Sequence, residues 1–266
     1  MRSNPSDEGR PDGLLYRDQI ETARARLGRL AAVFEFFPTI ASTNDVAIER
    51  SAQAFLGRKD AEGLVVVADE QTAGRGRLGR SWEAAPGSSL LVSVLLRRPG
   101  DPGRAVMAAG VALAAAVEEV AGAAAGLKWP NDLVVDDRKL AGLLAETDGD
   151  AVVVGAGCNV NWESFPDELA ATATACNLEA GRPVDRDALL DAFLDRLAAA
   201  LASGDALLDD YRARRVTVGR TVRVAPVRGD AVVGTAVAVT DDGALVVRDE
   251  RGEDHTVVAA DVHHLR

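Results

Sequence analysis

Straight after Leu64–Ala68, a continuous apolar run that reads as a buried strand, the chain carries Gly74-Arg75-Gly76-Arg77-Leu78-Gly79-Arg80. Three glycines interleaved with three arginines limit what can be built there. Glycine permits positive φ and close backbone approach to a ligand, and successive N–H groups can line an anion-binding concavity. Arginine adds planar forks that fit carboxylate or phosphate. No Gly-Lys-Ser/Thr closes the segment, so it is not a P-loop, and its glycines do not lead into a helix as those of a dinucleotide fingerprint do. If a nucleotide binds here, a different fold binds it. Two readings stay open: a solvated surface turn, or a loop that orders around an anionic ligand.

The flanking pattern mixes strands and helices. Val33–Ile40 reads as an extended run interrupted by Pro38, and a helix is expected from Ser42, with Asp45 completing a capping box. Ser88–Leu96 reads as a strand. The Ala-rich stretch Ala105–Leu127 carries Glu118 and Glu119 and reads as a helix packed on protein, not a membrane span. Gly126–Pro130 is strand-like, Asp136-Asp137 suggests a hairpin into Lys139–Glu146, and Ala151–Val160 is a further buried strand. A helix from an Asp185 N-cap to Ala202 puts Leu189, Phe193, Leu197 and Leu201 on one face, and a shorter one holds Leu207, Leu208 and Tyr211. From about Thr217, short Val-rich runs split by Arg228-Gly229-Asp230, Asp241-Asp242-Gly243 and Arg251-Gly252 have the spacing of a small β-barrel. The expected division is a mobile tail over 1–13, a large unit over 14–215 that opens with an amphipathic helix at Leu14–Ala32, and a small barrel over 216–266.

Composition excludes several classes. Apolar residues at 47 % argue against disorder, and charged residues at 27 % argue against membrane embedding. A net charge of −11 is unsuited to an electrostatic grip on duplex DNA. Cys158 and Cys176 form no disulfide framework, which suits a reducing cytoplasm, and the N-terminus lacks the apolar core of a signal peptide. The three histidines, His255, His263 and His264, offer no zinc spacing, and Cys158 reads as an inert thiol.

Lysine is scarce: Lys59, Lys128 and Lys139 stand against twenty-seven arginines. Two of them fall within twelve residues: Lys128 opens Lys128-Trp129-Pro130-Asn131-Asp132, where Pro130 breaks the strand, and Lys139 follows seven residues after Asp132. Asn131 and Asp132 then face a metal, a phosphate or an attacking group, or form an ordinary turn. Ser42-Thr43-Asn44 is a ligand-facing polar trio or a plain N-cap. Gln71 can both donate to and accept from an amide-like ligand. Gly155-Ala156-Gly157, with Asn159, admits a flat ring or marks a bulge. Trp82 shields a ligand or belongs to the core.

In order, Ser-Thr-Asn, Glu-Gln-Thr-Ala-Gly-Arg-Gly-Arg-Leu-Gly-Arg-Ser-Trp, Lys-Trp-Pro-Asn-Asp, Arg-Lys-Leu-Ala-Gly-Leu-Leu-Ala-Glu and Gly-Ala-Gly-Cys-Asn-Val-Asn resemble the biotin protein ligase family over roughly Phe34 to Arg266. The resemblance implies an α+β fold: a mixed-sheet biotin/lipoate ligase-like catalytic domain with a small C-terminal SH3-like β-barrel. It implies biotin and ATP as substrates with Mg2+, and transfer from biotinyl-5′-AMP to one lysine of a biotin carboxyl carrier protein. Lys139 then lies between biotin's carboxylate and the α-phosphate, and Arg75 and Arg77 close over both, aided by backbone N–H groups of Gly74 and Gly76. Arg80 joins the same loop. Ser42, Thr43, Asn44 and Gln71 surround the ureido ring, and Trp82 packs over the pocket. Gly157 and Asn159 meet the adenylate. Asn131 and Asp132 are candidates for metal or phosphate contact, with Asp132 a candidate acceptor for the incoming lysine's proton.

The departures matter too. Many bacterial relatives carry an N-terminal winged-helix DNA-binding domain, for which the roughly forty residues before Ser42 are too few. With the acidic charge, this leads us to expect a cytoplasmic ligase with neither DNA nor membrane as partner, the homodimer remaining open. Leu78 stands where some relatives add another basic residue. The alternatives are a lipoate-attaching ligase of the same fold and a non-catalytic biotin-responsive regulator.

Overall fold

The structure, a computed structural model, describes residues 33–54, 63–97, 101–226, 230–258 and 260–265. The tail expected over 1–13 and the helix expected over Leu14–Ala32 lie outside the described residues. The first strands are β1 (Val33–Ile40), β2 (Leu64–Gln71) and β3 (Ser89–Arg97), with helix α1 (Thr43–Ala54) between β1 and β2. Helix α2 (Pro102–Ala121) leads to β4 (Gly126–Lys128), β5 (Asp132–Val135), β6 (Arg138–Asp148) and β7 (Ala151–Asn159). These seven strands form one mixed sheet in the order β1-β2-β3-β7-β6-β5-β4, with only β1 and β2 running parallel. Pro38 does not interrupt β1, because pairing with β2 resumes at Thr39 and Ile40. An edge strand tolerates a residue without an N–H.

Strand periodicity assigns the two faces of the sheet. Val65 and Val67, Leu90, Val92, Val94 and Leu96, and Val152, Val154, Ala156 and Cys158 pack against the main helical layer. That layer comprises α2, α5 (Arg186–Ala202) and α6 (Ala206–Arg214), with Leu189, Phe193 and Leu197 buried in the predicted register. The short helices α3 (Asp167–Ala170) and α4 (Cys176–Ala180) lie between β7 and α5 in the chain. On the opposite face Leu64, Val66, Leu95, Ala151 and Val153 pack under α1 through Ala47. Helix α2 begins at an Asp101 N-cap with Pro102 in its first turn and ends at Gly122, φ +70°. It therefore stops short of the expected Leu127, because a left-handed glycine terminates helices. No described helix is long and apolar enough to cross a membrane.

The C-terminal strands β8 (Thr221–Pro226), β9 (Val232–Val239), β10 (Leu245–Asp249), β11 (Asp254–Val257) and β12 (Ala260–His264) form an antiparallel sheet ordered β11-β10-β9-β8-β12. Among the described residues β11 and β12 are its two edges, and no pairing closes it into a barrel. Trp129 joins this sheet to the larger one. Its ring is buried with Val222, Val224, Leu245 and Val247, its indole N–H donates to Gly243 O at 2.7 Å, and its backbone N–H donates to Thr217 Oγ1 at 3.0 Å. Trp129→Ala is expected to cost about 3–5 kcal/mol, because it removes a filled aromatic site and a satisfied donor together. A lowered denaturant midpoint, with protection lost first in β8–β10, would show it.

Candidate active site

The loop after β2 is a small hairpin. Arg75 bridges Ser81, the Gly76 N–H donates to Arg80 O at 2.6 Å, and the Trp82 N–H donates to Gly74 O at 2.9 Å. Its turn uses left-handed backbone at Leu78, φ +57°, and Gly79, φ +74°. Gly74, Gly76 and Gly79 do have G-x-G-x-x-G spacing, but a single 3-10 turn at Arg77–Gly79 takes the place of the helix such a fingerprint needs. At Gly74 a Cβ would lie 2.4 Å from Trp82 O, so only glycine lets the two arms come this close.

The hairpin overhangs an open cleft. Ser42, Thr43, Asn44, Gln71, Arg75, Gly76, Arg77, Arg80, Trp82, Asn131, Asp132, Lys139 and Gly157 all line it. Its floor is the α1 face of the sheet, where strand parity delivers Gly142, Gly155 and Gly157. A Cβ on Gly157 would lie 2.5 Å from the Trp82 ring, and one on Gly155 would lie 2.3 Å from Asn44 Oδ1. The absent side chains are therefore what admits Trp82 and Asn44. The Trp82 indole N–H is buried without a hydrogen-bond partner.

At one end of the cleft the groups are neutral and interlocked. Gln71 Oε1 accepts from the Thr43 N–H at 2.7 Å and the Thr43 hydroxyl at 2.9 Å, and Ser93 Oγ stands 2.7 Å from Thr43 Oγ1. Ser42, Thr43, Asn44 and Ser93 are buried. At the other end Lys139, Arg75 and Arg80 each face a carboxylate. Lys139 Nζ lies 2.8 Å from Asp132 Oδ1 and 5.5 Å from the centre of the Trp82 ring. Arg75 lies 2.6 Å from Asp45 and 2.7 Å from Glu146, and Arg80 lies 2.6 Å from Asp261. Arg77 reaches Asn131 Oδ1 at 3.4 Å and Ala260 O at 3.3 Å. Burial pushes its guanidinium below the ordinary value, with Asp261 and Asp132 opposing that shift. An arginine so placed stays charged and is ready to take an anion out of water.

One part of the chain matches the biotin/lipoate A/B protein ligase family over residues 36–161, and another matches the biotin protein ligase C-terminal domain over 217–265. The chain is 38 % identical over 239 residues to the biotin–[acetyl-CoA-carboxylase] ligase of Mycobacterium tuberculosis, covering 85 % of this chain and 88 % of that one. The chain belongs to the biotin protein ligase family. The Paracoccus denitrificans biotin–[acetyl-CoA-carboxylase] ligase is a 35 % identical member, aligned over 74 % of this chain and 88 % of its own. Among solved structures, the biotin protein ligase of Aquifex aeolicus in complex with biotin and ATP superposes with a TM-score of 0.76 at 25 % identity, covering 88 % of this chain and 100 % of that one. The Leishmania major biotin protein ligase in complex with biotinyl-5-AMP gives a TM-score of 0.61 at 25 % identity, covering 86 % and 99 %.

For this biotin protein ligase family member, the residues singled out from the sequence mostly converge. Gly74 and Asn159 do not line the cleft. Gly74 holds the hairpin's base, and buried Asn159 donates its amide to Thr174 O at 3.0 Å. Asp45, expected in a capping box, is spent on Arg75. Three contributors were missed: Ser93, Gly142 and Glu146. Ser93 is a polar residue in the middle of an apolar run, Leu90–Leu96, and parity along β6 and β7 puts Gly142 and Glu146 on the face of Gly155 and Gly157, so a signal for all three was present.

Asn131 and Asp132 test poorly as a resident metal site. Asp132 Oδ1 is engaged by Lys139, Asn131 Oδ1 by Arg77, and the Asn131 amide donates to Leu143 O at 2.5 Å. The two residues offer one carboxylate between them. Magnesium favours one or two carboxylates plus substrate phosphates, so the donor set suits an ion arriving on a triphosphate.

Proposed function

We propose that this protein is an ATP-dependent ligase that activates biotin as biotinyl-5′-AMP and transfers it to one lysine of a carboxyl carrier domain of an acyl-CoA carboxylase. The observation that carries the reading is a neutral, hydrogen-bonding cleft end continuous, across a glycine floor, with an end lined by Lys139, Arg75 and Arg77. That polarity matches a substrate with a cyclic urea at one end and a carboxylate at the other. In the first half-reaction a biotin carboxylate oxygen bonds to the α-phosphorus of MgATP and the bond to pyrophosphate breaks. In the second, the carrier lysine's amine attacks the acyl carbon, AMP leaves, and the amine loses a proton.

Thr43, Gln71 and Ser42 pair with the buried ureido N–H and C=O groups, which an apolar pocket would leave unsatisfied. Trp82, seated directly on the floor at Gly157, borders the rings. Two anions must meet for adenylation, so catalysis rests on neutralisation and positioning. Lys139 exchanges Asp132 for the space between carboxylate and α-phosphate, which leaves Asp132 free to take the amine's proton. Arg75, Arg77 and Arg80 turn to the phosphates, Asn131 makes a phosphate or magnesium contact, and Gly157 borders the nucleoside. In this reading residues 14–215 are the catalytic domain and 216–266 an SH3-like barrel, in a cytoplasmic enzyme that does not bind DNA.

Incubation with biotin, MgATP and an apo carrier domain should add one biotinyl group to one acceptor lysine, read by mass spectrometry. A lipoate arm of the same assay should give none; labelling with lipoate instead of biotin would reverse the assignment. Amides 74–80 should exchange more slowly in the presence of biotinyl-adenylate, and unchanged exchange there would count against closure of the arginine hairpin.

A further inference from the structure

One carboxylate beside the cleft, on the side of the arginine hairpin, has no part in the chemistry above, yet it touches a residue from each end. Glu146 lies on β6 with its side chain only 27 % exposed. A single oxygen, Oε2, accepts from Asn44 Nδ2 at 2.7 Å and from the Arg75 guanidinium at 2.7 Å. Asn44 cannot turn away, because its Oδ1 lies 2.5 Å from Ser93 Oγ and is pressed against Gly155. Ser93 in turn stands beside Thr43, which is held by Gln71. A chain of polar contacts therefore runs from the neutral end of the cleft through Asn44 to Glu146 and out to Arg75. Asp45 also meets Arg75, but its side chain is 54 % exposed and touches nothing else in that chain.

We infer that Glu146 is a positioning residue for biotin activation, registering the arginine hairpin against the ureido end of the pocket; this rests on the function proposed above. The guanidinium charge of Arg75 is useful only if it meets the substrate carboxylate where the pocket delivers it. A guanidinium tied to a half-buried carboxylate that is itself tied to the pocket wall loses less freedom when ligand arrives. An exposed ion pair of no functional consequence would contribute almost nothing.

Single-turnover pyrophosphate release from biotin and MgATP separates these cases. Glu146→Gln keeps an acceptor for Asn44 and removes the charge that holds Arg75. It should slow adenylation about tenfold while the biotin KM stays within about twofold, and Asp45→Asn should slow it by less than about threefold. In an Arg75→Ala background the Glu146→Gln penalty should disappear, because the effect acts through that arginine. Additive penalties, a wild-type rate for Glu146→Gln, or a larger loss in Asp45→Asn would each overturn the inference. Thermal melts monitor folding; if Glu146→Gln is not folded, Glu146→Asp carries the same cycle with the charge kept but shortened. No pyrophosphate from the wild-type protein would defeat the proposed function itself, whereas normal release with an additive cycle defeats the positioning role alone.

Discussion

Lys139→Ala is expected to slow biotinyl-adenylate formation by about 10²–10³-fold, the range seen when a preorganised stabilising group is removed from a developing charge. The argument is local. Lys139 stands on β6 where its ammonium contacts Asp132 at 2.8 Å and faces the Trp82 ring, in a chain whose other cleft cations are all arginine. A compact ammonium fits between a carboxylate and a phosphoryl oxygen where a planar guanidinium of greater span does not, so Lys139→Arg should recover only part of the rate. Transfer from supplied biotinyl-adenylate should suffer less than adenylation, because the charge repulsion is overcome in the first half-reaction. Arg196 supplies the control: it pairs with Glu119 on the exposed helical layer, and Arg196→Ala should leave the rate unchanged within about twofold. Pyrophosphate release measured at saturating biotin and MgATP makes the comparison, and equal rates for the two variants would remove Lys139 from its proposed place.

Gly157→Ala should raise the biotin KM by about 10–100-fold. The new methyl would begin 2.5 Å from a Trp82 ring atom, well inside contact distance, so the indole or the strand must move. Forcing extra volume into a packed site costs about 1–3 kcal/mol, and here the cost falls on the arrangement that closes over ligand. Gly157 is flanked by buried Ala156 and Cys158 on a central strand paired on both sides, which leaves the backbone little room to yield. The displaced element is therefore Trp82. If so, shortening that side chain as well, in Gly157→Ala/Trp82→Ala, should add little to the loss already caused by Trp82→Ala alone. Calorimetric titration with biotin would read both variants, and an unchanged affinity in Gly157→Ala would show that Trp82 does not border the ligand.

Local features were legible because their causes are local. The Asp185 N-cap, the apolar stripe of Leu189, Phe193 and Leu197, and the two-residue turn at Asp136-Asp137, with φ of +48° and +63°, each follow from a few neighbouring residues. The end of α2 was misjudged because alanine carries helix propensity past the point where Gly122 stops it. Strand spacing indicated the short antiparallel strands after Thr217 but does not encode which edges pair, so the order β11-β10-β9-β8-β12 came only from the tertiary structure.

The order of motifs, the glycine–arginine segment and the scarcity of lysine were enough, without coordinates, to identify the family and to name most of the cleft's side chains. Folding alone decided how those side chains are engaged before ligand arrives. Asp45 and Glu146 share Arg75, Asp132 meets Lys139, Asp261 reaches from the second sheet to Arg80, and Asn159 turns to Thr174 instead of into the cleft. Those partners lie up to 181 residues apart in sequence. Charge pairing falls off over a few ångströms of space and is indifferent to chain separation, so only the tertiary arrangement selects which carboxylate each cation meets.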